Sequence, residues 1–264
     1  MGIQPLSKIA ELHLTMPHAV QDVEVRSSRQ QGRQKSKARS LPRELLQLTA
    51  QLLDLQDLYA QSQLSQAVNQ QVHIIAKAGT PIARIVSLGL GSLFVTKGQS
   101  RRLKQLAVLL AVRDHIQKEQ NEPIEVYAQD PNFTRPDENL LMSLGIQILC
   151  TPSGSDLGEA TSFITPDTLV YSPFLTLEAY EQLILRYGRG LQYLIGDDFD
   201  ALLRKWPKRS AERKQVEGVV KTGLSKYRRK TVAGEGFWTV EDETFPMAVY
   251  TRTGLELGKL KARI

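Results

Sequence analysis

The chain has a single cysteine, Cys150, among its 264 residues, which excludes an intrachain disulfide and a zinc site built from several cysteines. Apolar runs are short, and none approaches the roughly 20 residues needed to span a bilayer. The first residues also lack the apolar core of a secretory signal. We therefore expect no contact with membranes and a reducing compartment, the cytoplasm or the nucleus.

Groups that commonly perform catalysis are also scarce. The four histidines, which show no metal-ligand spacing, are His13, His18, His73 and His115. His73 lies in an apolar stretch and is interpreted as a hydrogen-bonded packing residue rather than a ligand. Cys150 is expected to be buried at a strand end, and no histidine–acid pair is spaced to activate Ser92 or Ser172. We predict no catalytic residue and no metal site, and we leave open whether the chain is an enzyme.

The net charge of +6 is unevenly distributed along the chain. Residues 26–43 contain seven basic and no acidic residues, and residues 204–230 contain eleven basic and two acidic ones. The first segment is either a solubilising tail or an arm that binds a partner, and the second is either a solvated helix face or a surface for nucleic acid or an acidic partner. The candidate basic partner surface comprises Lys205, Lys208, Arg209, Lys226, Arg228, Arg229 and Lys230.

The stretch Arg84-Ile-Val-Ser-Leu-Gly-Leu-Gly-Ser92 has the pattern of a buried strand followed by a glycine turn. Glycine accepts positive φ and lets a ligand approach the backbone. Phe94 stands where the dinucleotide fingerprint needs its third glycine, and no Gly-Lys-Ser/Thr triplet supports a phosphate-binding loop. The turn either contacts a ligand or packs a helix closely against its strand.

Short apolar strands alternate with amphipathic helices over much of the chain. Strands are predicted at 85–88, 124–128, 146–150, 168–171 and 191–195. Ser100, Thr134 with Asp137, and Thr176 are predicted helix caps, and Gly145 a left-handed helix end. This alternation predicts an α/β fold, a Rossmann-like three-layer sandwich around a mostly parallel sheet of five or more strands.

The predicted organisation has four parts. Residues 1–40 are expected to be a disordered basic arm. Residues 41–80 are a helical segment that packs on the domain through a stripe of leucines between Leu45 and Tyr59. Residues 81–203 form the Rossmann-like domain, and residues 204–264 form a basic extension that docks on it.

Parallel strands bring their carboxyl ends to one edge of a sheet, where ligands of such folds bind. The candidate ligand-binding rim is Gly89, Gly91, Ser92, Asp130, Pro131, Phe133, Ser172, Pro173 and Phe174. Asp130 either contacts a ligand hydroxyl or caps the turn that follows it. Asp197 and Asp198 either join this rim or cap the next helix.

Several runs resemble the SRR-like ("sensitivity to red light reduced") domain family. They are Leu88-Gly-Leu-Gly-Ser92, Gln105-Leu-Ala-Val-Leu-Leu110, Val126-Tyr-Ala-Gln-Asp-Pro-Asn-Phe-Thr134, Leu144-Gly-Ile146 and Thr168-Leu-Val-Tyr-Ser-Pro-Phe174. The tail runs Lys205-Trp-Pro-Lys208, Lys221-Thr-Gly-Leu-Ser-Lys226 and Phe237-Trp238 are similar to its fungal branch.

This resemblance implies a regulatory protein linked to circadian and transcriptional control, to control of haem biosynthesis or to microtubule-related phenotypes, and it brings no established catalytic activity. We expect a protein that acts by binding, with a protein partner. The alternative is an enzyme or sensor that binds a nucleotide or S-adenosylmethionine at the glycine turn. The cofactor is left open among nucleotide, S-adenosylmethionine and haem, because no specific motif selects one.

Overall fold

The computed structural model describes residues 27–77, 80–151 and 157–253, with side chains from residue 43 onward. The chain divides into two units, Met1–Arg43 and Glu44–Ile264, and the sheet lies in the second. Most of the predicted disordered arm, residues 1–26, lies outside the described residues and stays a prediction. Within the described ranges, no helix has the length and apolar character that crossing a membrane requires.

A seven-stranded sheet forms the centre of the second unit, with strand order β3-β2-β1-β4-β5-β7-β6. The strands are β1 (Arg84–Leu88), β2 (Glu125–Gln129), β3 (Ile146–Ile148), β4 (Thr168–Tyr171), β5 (Tyr193–Asp197), β6 (Tyr227–Val232) and β7 (Met247–Arg252). The first five pair in parallel, whereas β7 pairs antiparallel with both β5 and β6. All five predicted strands are present, and the mostly parallel α/β fold is confirmed.

Helices connect the strands and flank the sheet. They are α1 (Ser27–Ala60), α2 (Gln63–Lys77), α3 (Gln99–Gln120), α4 (Arg135–Ser143), α5 (Leu177–Glu181), α6 (Phe199–Lys205) and α7 (Ala211–Gly218). A helix was predicted only after Pro42, but α1 begins at Ser27, because the glutamine, arginine, lysine and alanine residues before Pro42 favour helix.

Two hydrophobic clusters cover the two faces of the sheet, as a three-layer sandwich requires. Neighbouring residues of one strand belong to different clusters. Ile85 is in the first cluster, which includes residues of α1, α2, α3 and α4, and Val86 is in the second, which includes residues of α5, α6 and α7. The leucine stripe of α1 contributes to the first cluster, since Leu48, Leu52 and Tyr59 are buried. The alternation along β1 therefore divides the core between the two outer layers.

Most of the predicted helix ends are confirmed. Thr134 and Asp137 form the capping box of α4, Gly145 has a φ of 77°, and Thr176 Oγ1 accepts a hydrogen bond from the Ala179 N–H. The Ser100 cap is wrong. The N-cap of α3 is Gly98 with a φ of 71°, and the Ser100 hydroxyl instead donates to Asp242 at 2.8 Å.

The C-terminal strands extend the sheet beyond the five predicted strands. β7 lies between β5 and β6, and its residues from Met247 to Tyr250 are buried. β6 is the edge strand, and Arg228 and Lys230 are exposed on it. Charged side chains on an edge strand discourage pairing with other chains.

Candidate functional site

A cavity of about 340 Å³ lies at the carboxyl ends of β1, β2 and β4, within the size range of small-molecule sites. The strand order reverses between β1 and β4, and this switch point is where ligands of doubly wound folds bind. The cavity is lined by Leu88, Gly89, Leu90, Gly91, Arg101, Arg102, Gln105, Gln129, Asp130, Pro131, Asn132, Thr151, Leu157, Phe174, Leu175, Thr176 and Ala179.

The glycine turn after β1 forms one wall of the cavity. Gly89 and Gly91 each have a φ of 74°, a conformation that strains any residue with a Cβ atom. A Cβ on Gly91 would lie 2.6 Å from the Arg102 side chain, and a Cβ on Gly89 would lie 2.7 Å from Leu175. The positive φ therefore favours glycine at both positions, and a Cβ at either would also displace a neighbouring side chain.

Asp130 shapes this turn through both of its carboxylate oxygens. Oδ2 accepts the Gly91 N–H at 2.7 Å, and Oδ1 accepts the backbone N–H of Asn132 at 2.8 Å and its side-chain amide at 3.0 Å. The carboxylate thus joins the glycine turn to the end of β2. Of the two roles foreseen for Asp130, the structure bears out capping of the turn.

The Asp130→Ala variant should lose about 1–3 kcal/mol of unfolding free energy, because two backbone N–H groups lose their acceptor. Asp130→Asn keeps one acceptor oxygen and should lose less. Urea unfolding of both variants measures the difference. Equal stability of Asp130→Ala and the unsubstituted protein would show that the turn does not depend on this carboxylate.

The predicted rim residues are not all brought together. Gly89, Gly91, Asp130, Pro131 and Phe174 line the cavity. The other four predicted residues, Ser92, Phe133, Ser172 and Pro173, do not. Ser92 Oγ accepts the Phe94 N–H, Phe133 packs against the first hydrophobic cluster, Ser172 is fully buried, and the Pro173 carbonyl accepts the Gln105 amide.

Arg101 and Phe174 also line the cavity and contact each other. The Arg101 guanidinium lies 5.5 Å from the centre of the Phe174 ring, and Trp238 contacts that ring edge-on at 5.9 Å. Arg101 Nε is buried and has no hydrogen-bond partner among the described residues. The sequence analysis did not single out Arg101. Its place in the first turn of a helix that follows a glycine turn is the signal that identifies it.

Behind Phe174 lies a buried carboxylate. Asp197 ends β5, and its Oδ1 accepts the Phe174 N–H at 2.8 Å. Phe174 has a φ of 65°, so this contact holds a strained residue in place. Burial raises the pKa of Asp197 to about 7. Tyr180 completes the arrangement, since its hydroxyl donates to the Ser172 carbonyl and accepts the Asp197 N–H.

Asp197 and Asp198 have different roles. Asp198 Oδ1 accepts the backbone N–H groups of Asp200 and Ala201, so Asp198 caps α6 as predicted. Asp197 does not cap that helix, because its carboxylate points to Phe174. Neither residue lines the cavity.

The candidate basic partner surface is partly neutralised. Arg229 Nη1 lies 2.8 Å from Asp198, and Nη2 lies 2.6 Å from Asp200. The Lys205 ammonium lies over the rings of Trp206 and Phe245. The remaining members of the surface, which are exposed, are Lys208, Arg209, Lys226, Arg228 and Lys230.

The interpretation of Cys150 is corrected, and that of His73 is confirmed in part. Cys150 is exposed, because β3 ends at Ile148, two residues earlier than predicted. His73 is hydrogen-bonded as predicted, since its Nδ1 lies 3.1 Å from Glu119 Oε1, but its side chain is 45% exposed. His115 lies beside them, and burial lowers the pKa of its imidazole. Helix spacing relates His115 to Glu119, but no sequence pattern connects either residue to His73.

Three solved structures are similar to this chain in fold, and two of them are described as O-methyltransferases. A cofactor-bound protein from MTB is 12% identical, with a TM-score of 0.44, covering 78% of this chain and 89% of that one. A putative O-methyltransferase from Klebsiella pneumoniae is 11% identical, with a TM-score of 0.40, covering 76% and 90%. The O-methyltransferase TomG from Streptomyces achromogenes, in complex with SAM, is 12% identical, with a TM-score of 0.38, covering 73% and 90%.

Among curated proteins, no sequence matches this chain. The model of the SRR1 domain matches residues 51–240, which contain β1 to β6, the glycine turn and every described residue that lines the cavity. The matched region covers well over half of the chain, and it agrees with the resemblance carried by the turn and strand-end motifs. The chain belongs to the SRR1 domain family.

Proposed function

We propose that this SRR1-domain chain is a regulatory protein that binds an anionic small molecule with a flat apolar part, such as a nucleotide, in the cavity at the switch point. The observation that carries the proposal is the pairing of Arg101 with Phe174 in a cavity that is also lined by Gly89 and Gly91. A guanidinium recognises phosphate or carboxylate oxygens, and an aromatic ring packs against a planar group.

The charges around the cavity favour an anion. Arg101 and Arg102 are its basic lining residues, and Asp130, its only acidic residue among those described, is already hydrogen-bonded to Gly91 and Asn132. Arg102 Nη2 donates to the Val95 and Lys97 carbonyls, which ties that guanidinium to the loop before α3, whereas Arg101 lies against the Phe174 ring. Both arginines lie in the first turn of α3, where the helix dipole adds positive potential.

The composition of the lining supports binding rather than turnover. The described lining residues include no histidine, cysteine, lysine or glutamate, and the one carboxylate among them, Asp130, already accepts hydrogen bonds from Gly91 and Asn132. The alternative is an enzyme or sensor that uses S-adenosylmethionine or a nucleotide at the same turn. Haem is a third ligand class, but it finds no histidine or cysteine in this described lining.

The proposal also includes a partner through which the protein regulates other processes. An acidic protein partner, or a nucleic acid, would contact the exposed lysine and arginine residues of the basic partner surface, in the cytoplasm or the nucleus. Membership of the fungal branch and a role in circadian or transcriptional control, haem biosynthesis or microtubule phenotypes follow from the resemblance of the motifs. Binding of nucleic acid would weaken steeply with salt.

A thermal-shift screen of the full chain against nucleotides, S-adenosylmethionine and haem tests the ligand. We expect an anionic compound to raise the melting temperature, and Arg101→Met to weaken its affinity by about 10- to 100-fold, since a hydrogen bond to a charged group is lost. Arg186→Met, which removes an exposed arginine outside the cavity, is the matched control.

Two results would overturn the proposal. One is a ligand whose affinity is the same in Arg101→Met and Arg186→Met, which would place its binding elsewhere. The other is turnover of the bound compound, which would establish the enzyme alternative.

A further inference from the structure

Three potential metal ligands meet where α2 crosses the C-terminal part of α3. His115 and Glu119 are four residues apart on α3 and therefore share a face of that helix. His73 approaches from α2, with Nδ1 3.1 Å from Glu119 Oε1, and His115 Nε2 lies 3.9 Å from the same oxygen. One ligand atom from each residue lies within 4.8 Å of the other two.

The distances between these ligand atoms are close to those around a bound metal ion. Zinc binds imidazole nitrogen and carboxylate oxygen at about 2.0–2.2 Å, so ligand atoms around a tetrahedral ion lie about 3.3–3.5 Å apart. The His73–Glu119 distance is already close to that value. The side chain of His73 is 45% exposed, so it can rotate to bring the remaining atoms closer without disturbing the core.

A simple ion pair leaves part of this arrangement unexplained. His115 Nε2 is buried and has no hydrogen-bond partner among the described residues, although it points at the Glu119 carboxylate. An unsatisfied buried nitrogen is costly, and a metal ion would use its lone pair. Lys77 Nζ lies 3.6 Å from Glu119 Oε2. This ion pair orients the carboxylate so that Oε1 is directed to the two imidazoles. The Lys77 charge also opposes a cation and limits the affinity.

We propose that His73, His115 and Glu119 bind a divalent transition-metal ion of the zinc class, with water completing the coordination. Two imidazoles and one carboxylate suit zinc, nickel or copper rather than calcium or magnesium, which prefer oxygen ligands. The bound ion braces α2 against α3. Its ligands on α3 lie about 21–27 Å along that helix from Arg101, at 1.5 Å per residue, so the site is separate from the cavity.

The test is zinc titration of the full chain by calorimetry, with competing ligands removed. His13 and His18, outside the described residues, and the exposed Cys150 could also bind zinc, so the background carries His13→Gln, His18→Gln and Cys150→Ser. We expect one zinc ion per chain and no binding of magnesium. His115→Ala and Glu119→Gln should each weaken zinc binding at least about 10-fold, since loss of even an outer-shell partner of a metal ligand costs about that much.

The control variants distinguish loss of a metal ligand from damage to helix packing as the cause of weaker zinc binding. Glu122→Gln removes an exposed carboxylate just beyond α3 and should leave the affinity unchanged. Lys77→Met removes the opposing charge and should tighten zinc binding, a result that damaged packing would not give. Absence of stoichiometric zinc binding in the background protein would overturn the proposal. So would unchanged affinity in both His115→Ala and Glu119→Gln.

Discussion

The Lys104→Met variant should lose about 3–5 kcal/mol of unfolding free energy, because it leaves the Asp242 carboxylate buried without its counter-charge. Lys104 Nζ lies 2.6 Å from Asp242 Oδ2, and the two side chains are only 6% and 1% exposed. Methionine resembles the lysine stem in length and flexibility, so the loss would report the missing charge rather than a cavity. Urea unfolding at neutral pH measures it.

Two further variants identify the cause of this loss. Lys77→Met breaks an ion pair whose lysine is 61% exposed, and it should cost less than about 1 kcal/mol. The double variant Lys104→Met with Asp242→Asn removes the orphaned charge and should recover part of the lost stability. Equal losses in Lys104→Met and Lys77→Met would contradict a special role for the buried pair.

The Lys104–Asp242 pair matters because it anchors the segment before β7 to α3. Burial opposes ionisation of Asp242, but hydrogen bonds from Lys104, the Thr239 N–H and the Ser100 hydroxyl outweigh it and lower the pKa of Asp242. The Lys104 ammonium also lies 5.6 Å from the Phe237 ring centre. Since neighbouring Trp238 contacts Phe174 at the cavity wall, we expect Lys104→Met to weaken ligand binding as well.

The sequence predicted the parallel part of the sheet well, because its strands are short runs of β-branched and aromatic residues between turn formers. β1 and β4 were located to within one residue. β6 was missed, because Tyr227-Arg-Arg-Lys-Thr-Val232 is a largely exposed edge strand without an apolar face. Ser100 was misassigned as a cap because its partner, Asp242, is 142 residues away.

The candidate site was predicted only in part, because some of its contacts join residues that are distant in sequence. Gly89, Gly91 and Asp130 are recognisable because turn chemistry is local in sequence. Arg101 has the sequence signature of a solvated helix face, and only the fold places it against Phe174. The contact of His73 with Glu119 depends on how α2 crosses α3, which residue spacing along one helix does not encode.

The Asp197→Asn variant should be more stable than the unsubstituted protein at alkaline pH, by about 2–4 kcal/mol. The reason is that burial raises the pKa of Asp197 to about 7 in the folded protein, above the usual value of 3.8. Between those two values the folded state holds a proton that the unfolded state has released, so the unsubstituted protein loses stability as pH rises toward 7. Asparagine stays neutral and avoids this loss.

Urea unfolding at about pH 5 and about pH 9, on either side of the raised pKa, measures the effect. The side-chain oxygen of the introduced asparagine can still accept the Phe174 N–H, so the advantage of Asp197→Asn should be smaller at about pH 5, where only part of the loss has occurred, and larger at about pH 9. Asp54→Asn, on the exposed face of α1, should show no such growth. An advantage that is the same at both pH values would mean that the carboxylate is not protonated in the folded state.

Ionisation of Asp197 should also affect the cavity. Its carboxylate holds Phe174 in a left-handed conformation, and Phe174 faces Arg101, the residue proposed to bind the anion. A negative charge appearing behind this wall opposes a bound anion and attracts Arg101 and Lys205, whose charges already act on Asp197. The affinity for an anionic ligand should therefore fall from about pH 6 to about pH 8 in the unsubstituted protein and stay level in Asp197→Asn. A parallel fall in both proteins would assign the pH dependence to the ligand or to another residue.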